Sequence, residues 1–366
     1  MGGRLRKLSA LSLVLVACSF AASATASSEG SRCVLPNNGK IEGAVVLDGS
    51  CSYAGKITIA KSNTVLDCAG AIIDGQHKET VGLMIRGKSI ENVRVRNCKF
   101  YNSKGMGVMI SSGIKGADLS SDPDRNFELS PRNIELQGIE VKNVGKNGVH
   151  FNAYVRASKI EGSLIEGSGK VGIYLGQSTQ DISLIGNRIY ANGKPEKGGP
   201  GREGVAIDSS ARNIIRGNEF KGNSAGAIFL YKNCGESRSG ERSISRWQSS
   251  NDNQIEGNYF SQEKIGVWIA SRQSRDLKRW GCSDPSVDSA GKYYKDYANN
   301  NVVKHNTFCS TAMPIKVEGD GNTIDDNAFD RITDTRVVEP YKNLTKPDGS
   351  RSVGNVVENN KRAICR

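Results

Sequence analysis

The chain has 366 residues, of which 37% are hydrophobic and 6% aromatic, and its formal net charge is +12. Glycine (42 residues) and asparagine (30 residues) are both abundant, as expected of a chain rich in tight turns. No apolar run reaches the ~18 residues that a membrane-spanning helix needs. The charges are too dispersed for a disordered tail protein. The composition therefore indicates a turn-rich globular chain without a membrane span.

The first 26 residues have the pattern of a secretory signal peptide. Three basic residues among the first seven precede an apolar stretch from Leu8 to Ala17, and small residues follow. We therefore predict that residues 1–26 are removed and that the protein is exported, either to a periplasm or out of the cell. The residues before Cys18 also resemble a bacterial lipobox, so an outer-membrane lipoprotein with a lipid anchor at Cys18 is the alternative.

A repeat of hydrophobic and polar positions runs through the rest of the chain. Five anchor positions have an aliphatic residue three places before and Ile or Phe two places after, namely Asn187, Asn218, Asn258, Asn306 and Asn327. The aliphatic part of this frame extends upstream to Cys68, Cys98, Ile139 and Ser163, and a weaker unit lies at Asn359. A strand with period-2 alternation, introduced by glycine, follows most anchors. The shortest spacings, 21 and 24 residues, leave no room for a helix within a unit.

This pattern resembles the right-handed parallel β-helix repeat of the pectin-lyase-like superfamily. The resemblance implies an all-β fold, a single-stranded right-handed parallel β-helix of about nine to ten coils. It also implies that stacked asparagines hydrogen-bond one another and the turn backbone. We predict an N-terminal cap over residues 27–56, the β-helix domain over 57–361 and a C-terminal tail over 362–366. Such a repeat specifies the fold strongly and the function weakly.

Eight cysteines remain besides Cys18, an even number that favours disulfides in an exported chain. Only three histidines and no Cys-x-x-Cys are present, so we predict no metal site and no cofactor; calcium lacks a supporting cluster of acids. In the β-helix four pairs are geometrically reasonable: Cys33–Cys51, Cys68–Cys98, Cys234–Cys282 and Cys309–Cys365. The sequence does not determine this connectivity, and Cys68 and Cys98 as reduced core thiols are an alternative.

Insertions indicate which face of the β-helix is the working one. The spacing between units increases where residues 112–131, 193–203, 234–252 and 271–300 are added, and each insertion adjoins the glycine-led strand. Loops clustered around one column of strands form the walls of a groove. We therefore predict long loop insertions on one face, with the functional site on that face.

Alternation along the glycine-led strands predicts which side chains point out into this groove. The middle row contains aromatic and cationic residues, and coils stack ~4.8 Å apart, a spacing that suits sugar rings against aromatic faces. The predicted substrate-binding residues are Asn152, Tyr174, Asp208, Phe229, Trp268, Arg275 and Lys316. The alternative is that the insertions fold over this face and bury the aromatic side chains.

Cationic and aromatic side chains together suit an anionic ligand. Lys232 and Arg272 end the same strand in adjacent coils, and by position they look like the Lys/Arg pair of alginate and chondroitin lyases on this fold. The resemblance implies that the cations neutralise a substrate carboxylate, and that Lys232 removes the C5 proton. His150 and Tyr231 are the alternative base and acid. The structural alternative is that Lys232 and Arg272 form an ion-pair network that anchors a loop.

We therefore predict an exported, carbohydrate-active monomer that acts on an acidic polysaccharide as a lyase or C5-epimerase, without a nucleic-acid partner. Residues 122–125 resemble an Asp-Pro-His-Asp motif of mannuronan epimerases but lack the histidine. Two other interpretations remain open: a non-catalytic carbohydrate-binding or surface interaction protein, and a glycoside hydrolase. Hydrolysis needs two carboxylates about 5–9.5 Å apart. The outward acids Asp208 and Glu318 are instead separated by three coils, roughly 14 Å.

Overall fold

Three parallel sheets run along the chain, which a computed structural model describes at residues 33–194, 198–233, 246–276, 287–330, 345–362 and 365. Each strand pairs with its counterparts in the coils before and after it, so every sheet contains one strand per coil. The predicted parallel β-helix is confirmed. Among the described residues, no helix is long and apolar enough to cross a membrane.

Sheet 1 has ten described strands. They are β1 (Lys40–Ile41), β4 (Ile57–Ile59), β7 (Val81–Arg86), β10 (Met106–Ser111), β13 (Val149–Phe151), β16 (Ile173–Leu175), β19 (Glu203–Asp208), β22 (Gly226–Tyr231), β25 (Ile265–Ile269) and β28 (Met313–Val317).

Sheet 2 has eleven described strands. They are β2 (Ala44–Val46), β5 (Val65–Asp67), β8 (Glu91–Arg96), β11 (Arg132–Gln137), β14 (Arg156–Glu161), β17 (Gln180–Ile185), β20 (Ile214–Arg216), β23 (Gln254–Glu256), β26 (Val302–Lys304), β29 (Thr323–Asp325) and β31 (Val356–Glu358).

Sheet 3 also has eleven described strands. They are β3 (Ser52–Ala54), β6 (Ile72–Asp74), β9 (Lys99–Tyr101), β12 (Glu140–Lys142), β15 (Leu164–Glu166), β18 (Arg188–Tyr190), β21 (Glu219–Lys221), β24 (Tyr259–Ser261), β27 (Thr307–Cys309), β30 (Ala328–Phe329) and β32 (Lys361–Arg362). The strands start at Lys40, so part of the segment predicted as a cap, 27–56, forms the first coil.

The core is the narrow space enclosed by the three sheets. Inward side chains alternate with outward ones on each strand, and the inward set is almost entirely Val, Ile, Leu and Phe with no solvent exposure. Four phenylalanines from successive coils of sheet 3 stack with ring centroids 4.9, 4.5 and 5.2 Å apart; these are Phe220, Phe260, Phe308 and Phe329. Burial of each such side chain contributes about 1.5–3 kcal/mol, so the stability of the fold is distributed along the whole column.

The turns are held by ladders of asparagines. In the first ladder each side-chain amide donates to the carboxamide oxygen of the next coil and to a backbone carbonyl. Its members are Asn187, Asn218, Asn258, Asn306, Asn327 and Asn360. A second ladder precedes sheet 2, at Asn213, Asn253, Asn301, Asn322 and Asn355. The hydrogen bonding predicted for the anchor asparagines is therefore present, although the last member is Asn360 and not Asn359.

Three of the four predicted cysteine pairs are disulfides in the structure. These are Cys33–Cys51, Cys68–Cys98 and Cys309–Cys365. The Cys68–Cys98 bridge links neighbouring coils in the core, where both residues are fully buried. The predicted Cys234–Cys282 pair, the signal peptide over residues 1–26 and the candidate lipid anchor at Cys18 lie outside the described residues.

The insertions all adjoin sheet 1, as predicted. Residues 112–131 follow β10, 193–203 lead into β19 and end at its first residue, and 234–252 and 271–300 follow β22 and β25. The first insertion contains one short helix, α1 (Pro123–Glu128), which the sequence did not predict. The Asp122 carboxylate caps it by accepting a hydrogen bond from the Asp124 backbone N–H at 3.0 Å, and proline suits the first helical position. The epimerase-like residues 122–125 therefore start a helix.

Candidate functional site

The outward face of sheet 1 carries one continuous row of side chains. The pairing register places one residue of this row in each coil: Met84, Met109, His150, Tyr174, Ala206, Phe229, Trp268 and Lys316. The alternation predicted for β22 is correct, because Ile228 and Leu230 lie in the core. Phe229 is 8% exposed and packs edge-to-face on Trp268, with centroids 5.3 Å apart. Phe229, one of the aromatic residues predicted to line the groove, is therefore largely covered.

Tyr231 connects the row to the Arg202–Glu203 ion pair, in which Glu203 is buried. Its hydroxyl donates a hydrogen bond to Glu203 at 2.8 Å, and Arg202 lies 3.2 Å from the same carboxylate. Burial, together with the negative charge of Glu203, raises the pKa of Tyr231 well above its ordinary value. The guanidinium of Arg272 lies over the Tyr231 ring, 4.4 Å from the centroid. The side chain of Tyr231 is only 1% exposed. It therefore lies beneath Arg272, and its ring packs against the guanidinium.

Asp208 is the centre of a second buried network. Its carboxylate accepts hydrogen bonds from the Asn233 side-chain amide at 2.7 Å, from the Asn233 backbone at 3.0 Å and from the Tyr174 hydroxyl. Arg246 completes the set with an ion pair at 3.0 Å. Asp208 has no solvent exposure. The predicted substrate-binding residues Asp208 and Tyr174 are therefore bonded to each other and to the loops that follow sheet 1.

A single carboxylate holds the predicted Lys232/Arg272 pair together. The two oxygens of Asp296 accept the backbone N–H groups of Lys232, at 2.8 Å, and of Arg272, at 3.0 Å. Burial raises the pKa of Asp296 to about 7, although the two backbone donors and Arg272 favour its charged form. The Arg272 Nε atom also donates to the Asn233 side-chain oxygen at 3.2 Å. Lys232 directly follows β22, whereas Arg272 lies three residues after the end of β25, so the shared Asp296 carboxylate, and not the strands themselves, brings their backbones together.

His150 lies elsewhere on the same face. Its ring stacks on Tyr174 at 4.8 Å, and Nδ1 is 2.9 Å from the Asn147 side-chain amide. His150 is on β13 and Lys232 follows β22, three strands away in sheet 1, a separation of roughly 14 Å. The four predicted catalytic residues therefore form two groups, with Arg272, Lys232 and Tyr231 in one and His150 in the other. Asn152, near His150, donates to Ser111 at 3.1 Å.

The remaining predicted binding residues converge on Trp268. Lys316 Nζ lies 4.0 Å from the centroid of the indole ring, and the Arg275 guanidinium lies 5.6 Å from it. The indole N–H donates to Glu318 at 3.0 Å, and Lys316 pairs with the same carboxylate at 3.2 Å. Together with Lys346 these residues line a cavity of about 240 Å³. This group is a cationic pocket with one aromatic wall.

In the described ranges, one group of side chains of the types that bind metal ions lies close together, and it does not support a metal site. Cys309, Asp330 and Cys365 bring one ligand atom each within 4.8 Å of one another. Because Cys309 and Cys365 form a disulfide, their thiolates are not available to an ion.

Several site residues were missed by sequence reasoning. Arg202, Arg246 and Asp296 come from insertions and Asn233 lies directly before one, where no repeat assigns a direction to a side chain. Glu203 is the last residue of the insertion 193–203 and the first of β19, and its acidic side chain before Gly204 was the only signal available. Each of these residues acts through contacts that span long stretches of sequence, such as the 64 residues between Lys232 and Asp296.

Structural comparisons find other proteins with this architecture. An alginate lyase from Paenibacillus sp. str. FPU-7 aligns with a TM-score of 0.48 and 14% identity, over 89% of this chain and 93% of the lyase. A mutant tailspike protein of E. coli bacteriophage HK620, in complex with a pentasaccharide, aligns with a TM-score of 0.50 and 12% identity, over 88% of this chain and 60% of the tailspike. The A-module of an Azotobacter vinelandii mannuronan C-5 epimerase aligns with a TM-score of 0.39 and 13% identity, over 88% of this chain and 89% of the module.

Sequence comparisons give the family. No curated protein matches the chain in a sequence search. The family model described as "Right handed beta helix region" matches residues 44–329, which is most of the chain and includes every coil that carries the site. The chain therefore belongs to the right-handed β-helix family.

Proposed function

We propose that the protein is a lyase or C5-epimerase that binds an acidic polysaccharide across the strands of sheet 1. The observation that carries this proposal is the placement of Arg272 and Lys232. Lys232 directly follows β22 and Arg272 lies three residues after the neighbouring strand β25. Their backbones share the Asp296 carboxylate, and the Arg272 guanidinium lies over the Tyr231 ring. A guanidinium that pairs with the carboxylate and an amine that takes the proton are the minimum set for chemistry at C5 of a uronate.

In the proposed reaction Arg272 pairs with the uronate carboxylate and stabilises the negative charge that develops there when C5 loses its proton. Lys232 acts as the base that takes this proton. For elimination, the C5–H electrons form the C4–C5 double bond, the C4–O4 bond breaks, and Lys232 returns the proton to O4. For epimerisation, C5 regains a proton from water on the opposite face, and Lys232 releases the proton it took to the solvent. The tailspike of similar fold that holds a pentasaccharide supports a sugar ligand for this architecture, at the level of the fold alone.

The experiment is to incubate the mature chain with alginate, polygalacturonate and a glycosaminoglycan. Elimination would raise the ultraviolet absorbance of unsaturated uronate ends, and epimerisation in D₂O would place deuterium at C5. Arg272→Ala and Lys232→Ala should each lower kcat/KM by about 10²–10⁴-fold. Arg216→Ala, on the exposed face of sheet 2, is the matched control and should leave the rate unchanged. Neither absorbance nor deuterium with any of the polymers would contradict the proposed reaction.

A non-catalytic polysaccharide-binding protein is the second candidate. The observation that favours it is the burial of Asp208 and Tyr231, whose polar groups are already bonded within the protein. Binding of a polyuronate that is retained without any turnover, and weakened by Arg272→Ala, would support this candidate over the enzyme. Glycoside hydrolysis has less support, because Asp208 is buried and lies three strands of sheet 1 away from Glu318.

A further inference from the structure

The pocket beside Trp268 has a different chemical character from the Arg272 cluster. Its cavity of about 240 Å³ is smaller than the ~300–1,000 Å³ of pockets that hold drug-sized ligands. Its walls come from β25, from β28, which is the last described strand of sheet 1, and from the segment that begins at residue 345. The volume therefore suits one sugar ring and not a longer segment of a chain.

The charges around this pocket favour an anion. Lys316, Arg275 and Lys346 line it together with a single acid, Glu318. The wider surroundings of Lys346 add two aspartates and one lysine, which leaves four cations against three acids among the described residues. The Glu318 carboxylate already has two partners, since one oxygen accepts the Trp268 indole N–H and the other pairs with Lys316.

The position of Lys316 links charge recognition to the aromatic wall. Its ammonium lies 4.0 Å from the centroid of the Trp268 ring, so an anion paired with Lys316 is also next to the indole. A sugar whose carboxylate is attached directly to the ring presents an anionic group and an apolar C–H face to the pocket together. A neutral sugar presents only the apolar C–H face, and inorganic phosphate presents only the anionic group.

We propose that this pocket is a subsite for a single uronate residue, with the carboxylate held by Lys316 and Arg275 and the sugar ring packed against Trp268. This inference deepens the proposed function, since it assigns the substrate class at one position of the groove. It does not require that cleavage occurs, because the pocket is separate from the Arg272 cluster.

The test measures the binding of free glucuronate and galacturonate to the mature chain by NMR titration or calorimetry. Glucose and inorganic phosphate are the neutral and anionic comparison probes, and both should bind at least about tenfold more weakly than the uronates. Lys316→Gln should weaken uronate binding at least tenfold and leave glucose unaffected. Glu318→Gln should strengthen uronate binding, because it removes the competing acid and keeps an oxygen for the indole N–H. A merely structural role for Glu318 would not produce tighter binding.

Trp247→Phe is the matched control, because Trp247 is also partly exposed, at 48%, but belongs to a different aromatic cluster with Phe127. It should leave uronate binding unchanged, whereas Trp268→Phe should weaken it. Glucose or phosphate bound as tightly as uronate, or undiminished uronate binding in Lys316→Gln, would overturn the inference. Uronate binding without turnover of any polymer would retain the subsite and refute the proposed reaction. Polymer cleavage without uronate binding would refute the subsite and retain the proposed reaction.

Discussion

Glu263 is a buried acid at the end of an asparagine ladder, and its replacement by glutamine gives a sharp test of the structure. The ladder runs from Asn192 to Asn223 and then to Glu263, whose Oε1 accepts the Asn223 side-chain and backbone N–H groups at 2.8 and 3.2 Å. The other oxygen, Oε2, is buried without a hydrogen-bond partner among the described residues. Glu263 is only 2% exposed. Its position therefore suits a neutral amide or a protonated carboxyl better than a carboxylate.

The magnitude follows from the pKa of this group. Burial raises the pKa of Glu263 from 4.5 to about 7, against the opposing effect of the two Asn223 donors. Below pH 4.5 the carboxyl is protonated in both the folded and the unfolded chain. Between pH 4.5 and 7 the unfolded chain ionises first, so stability falls as the pH rises, by about 3 kcal/mol in total. Above pH 7 Glu263 is ionised in both the folded and the unfolded chain, and the loss of stability is complete.

Glu263→Gln removes this penalty and retains an oxygen for Asn223. Its free energy of unfolding should be close to that of the wild type near pH 4 and exceed it by about 3 kcal/mol near pH 8.5. Equilibrium urea unfolding, followed by circular dichroism at several pH values, measures the difference. Glu256→Gln is the control. Burial raises the pKa of Glu256, but Lys304 and the other cations around it lower it overall. That variant should therefore lose stability relative to wild type as the pH rises. A pH-independent difference for Glu263→Gln would refute the reasoning.

Three further predictions concern the ladders, the loop anchor and a disulfide. Asn218→Ala removes four buried hydrogen bonds and should cost about 3–5 kcal/mol in urea unfolding. Asn359→Ala should cost less, about 1–2 kcal/mol, because it removes one exposed hydrogen bond and places alanine at a φ of 52°. Asp296→Asn retains one acceptor for two backbone donors, so hydrogen exchange should show at least about tenfold lower protection of the Lys232 or Arg272 amide, with the ladder amides unchanged. Replacement of Cys68 and Cys98 by alanine removes a bridge across 30 residues and should lower stability by about 3–4 kcal/mol; an unchanged urea midpoint would contradict this.

The repeating part of the fold is predictable because each coil places the same position in the same environment. From Cys98 to Asn327, the aliphatic residue three places before each anchor lies in the core without solvent exposure, as Ile215 does. The prediction was wrong at the first and last units. Val65 is only half-buried and Leu66 takes the core position beside Val95, while Val356 is 44% exposed. β31 pairs with β29 so that Val356 lies opposite Thr323, and this register places Asn360, one residue beyond Asn359, on the ladder.

The site was less predictable because half of it comes from segments without periodicity. Alternation correctly placed His150, Tyr174 and Trp268 on the outward face. It gave no indication that Arg246 and Asn233 would surround Asp208, or that Asp296 would bridge two strand ends. Those contacts depend on where an insertion returns to the coil, and a single sequence carries no repeat from which this can be inferred.

The ladders also explain why the insertions that follow Asn187 adjoin sheet 1. The ladder of Asn187 fixes the turn between sheets 2 and 3, and the ladder of Asn213 fixes the entry to sheet 2. The insertions lie in the intervals that these ladders leave open: 193–203 begins directly after the ladder residue Asn192, and 271–300 ends directly before Asn301. Because a ladder amide must meet its neighbour at about 3 Å, a turn within a ladder cannot accept extra residues. In these coils sequence length can therefore vary only at the two ends of the sheet 1 strands, so the ladders and the insertions occupy different positions of the same coil.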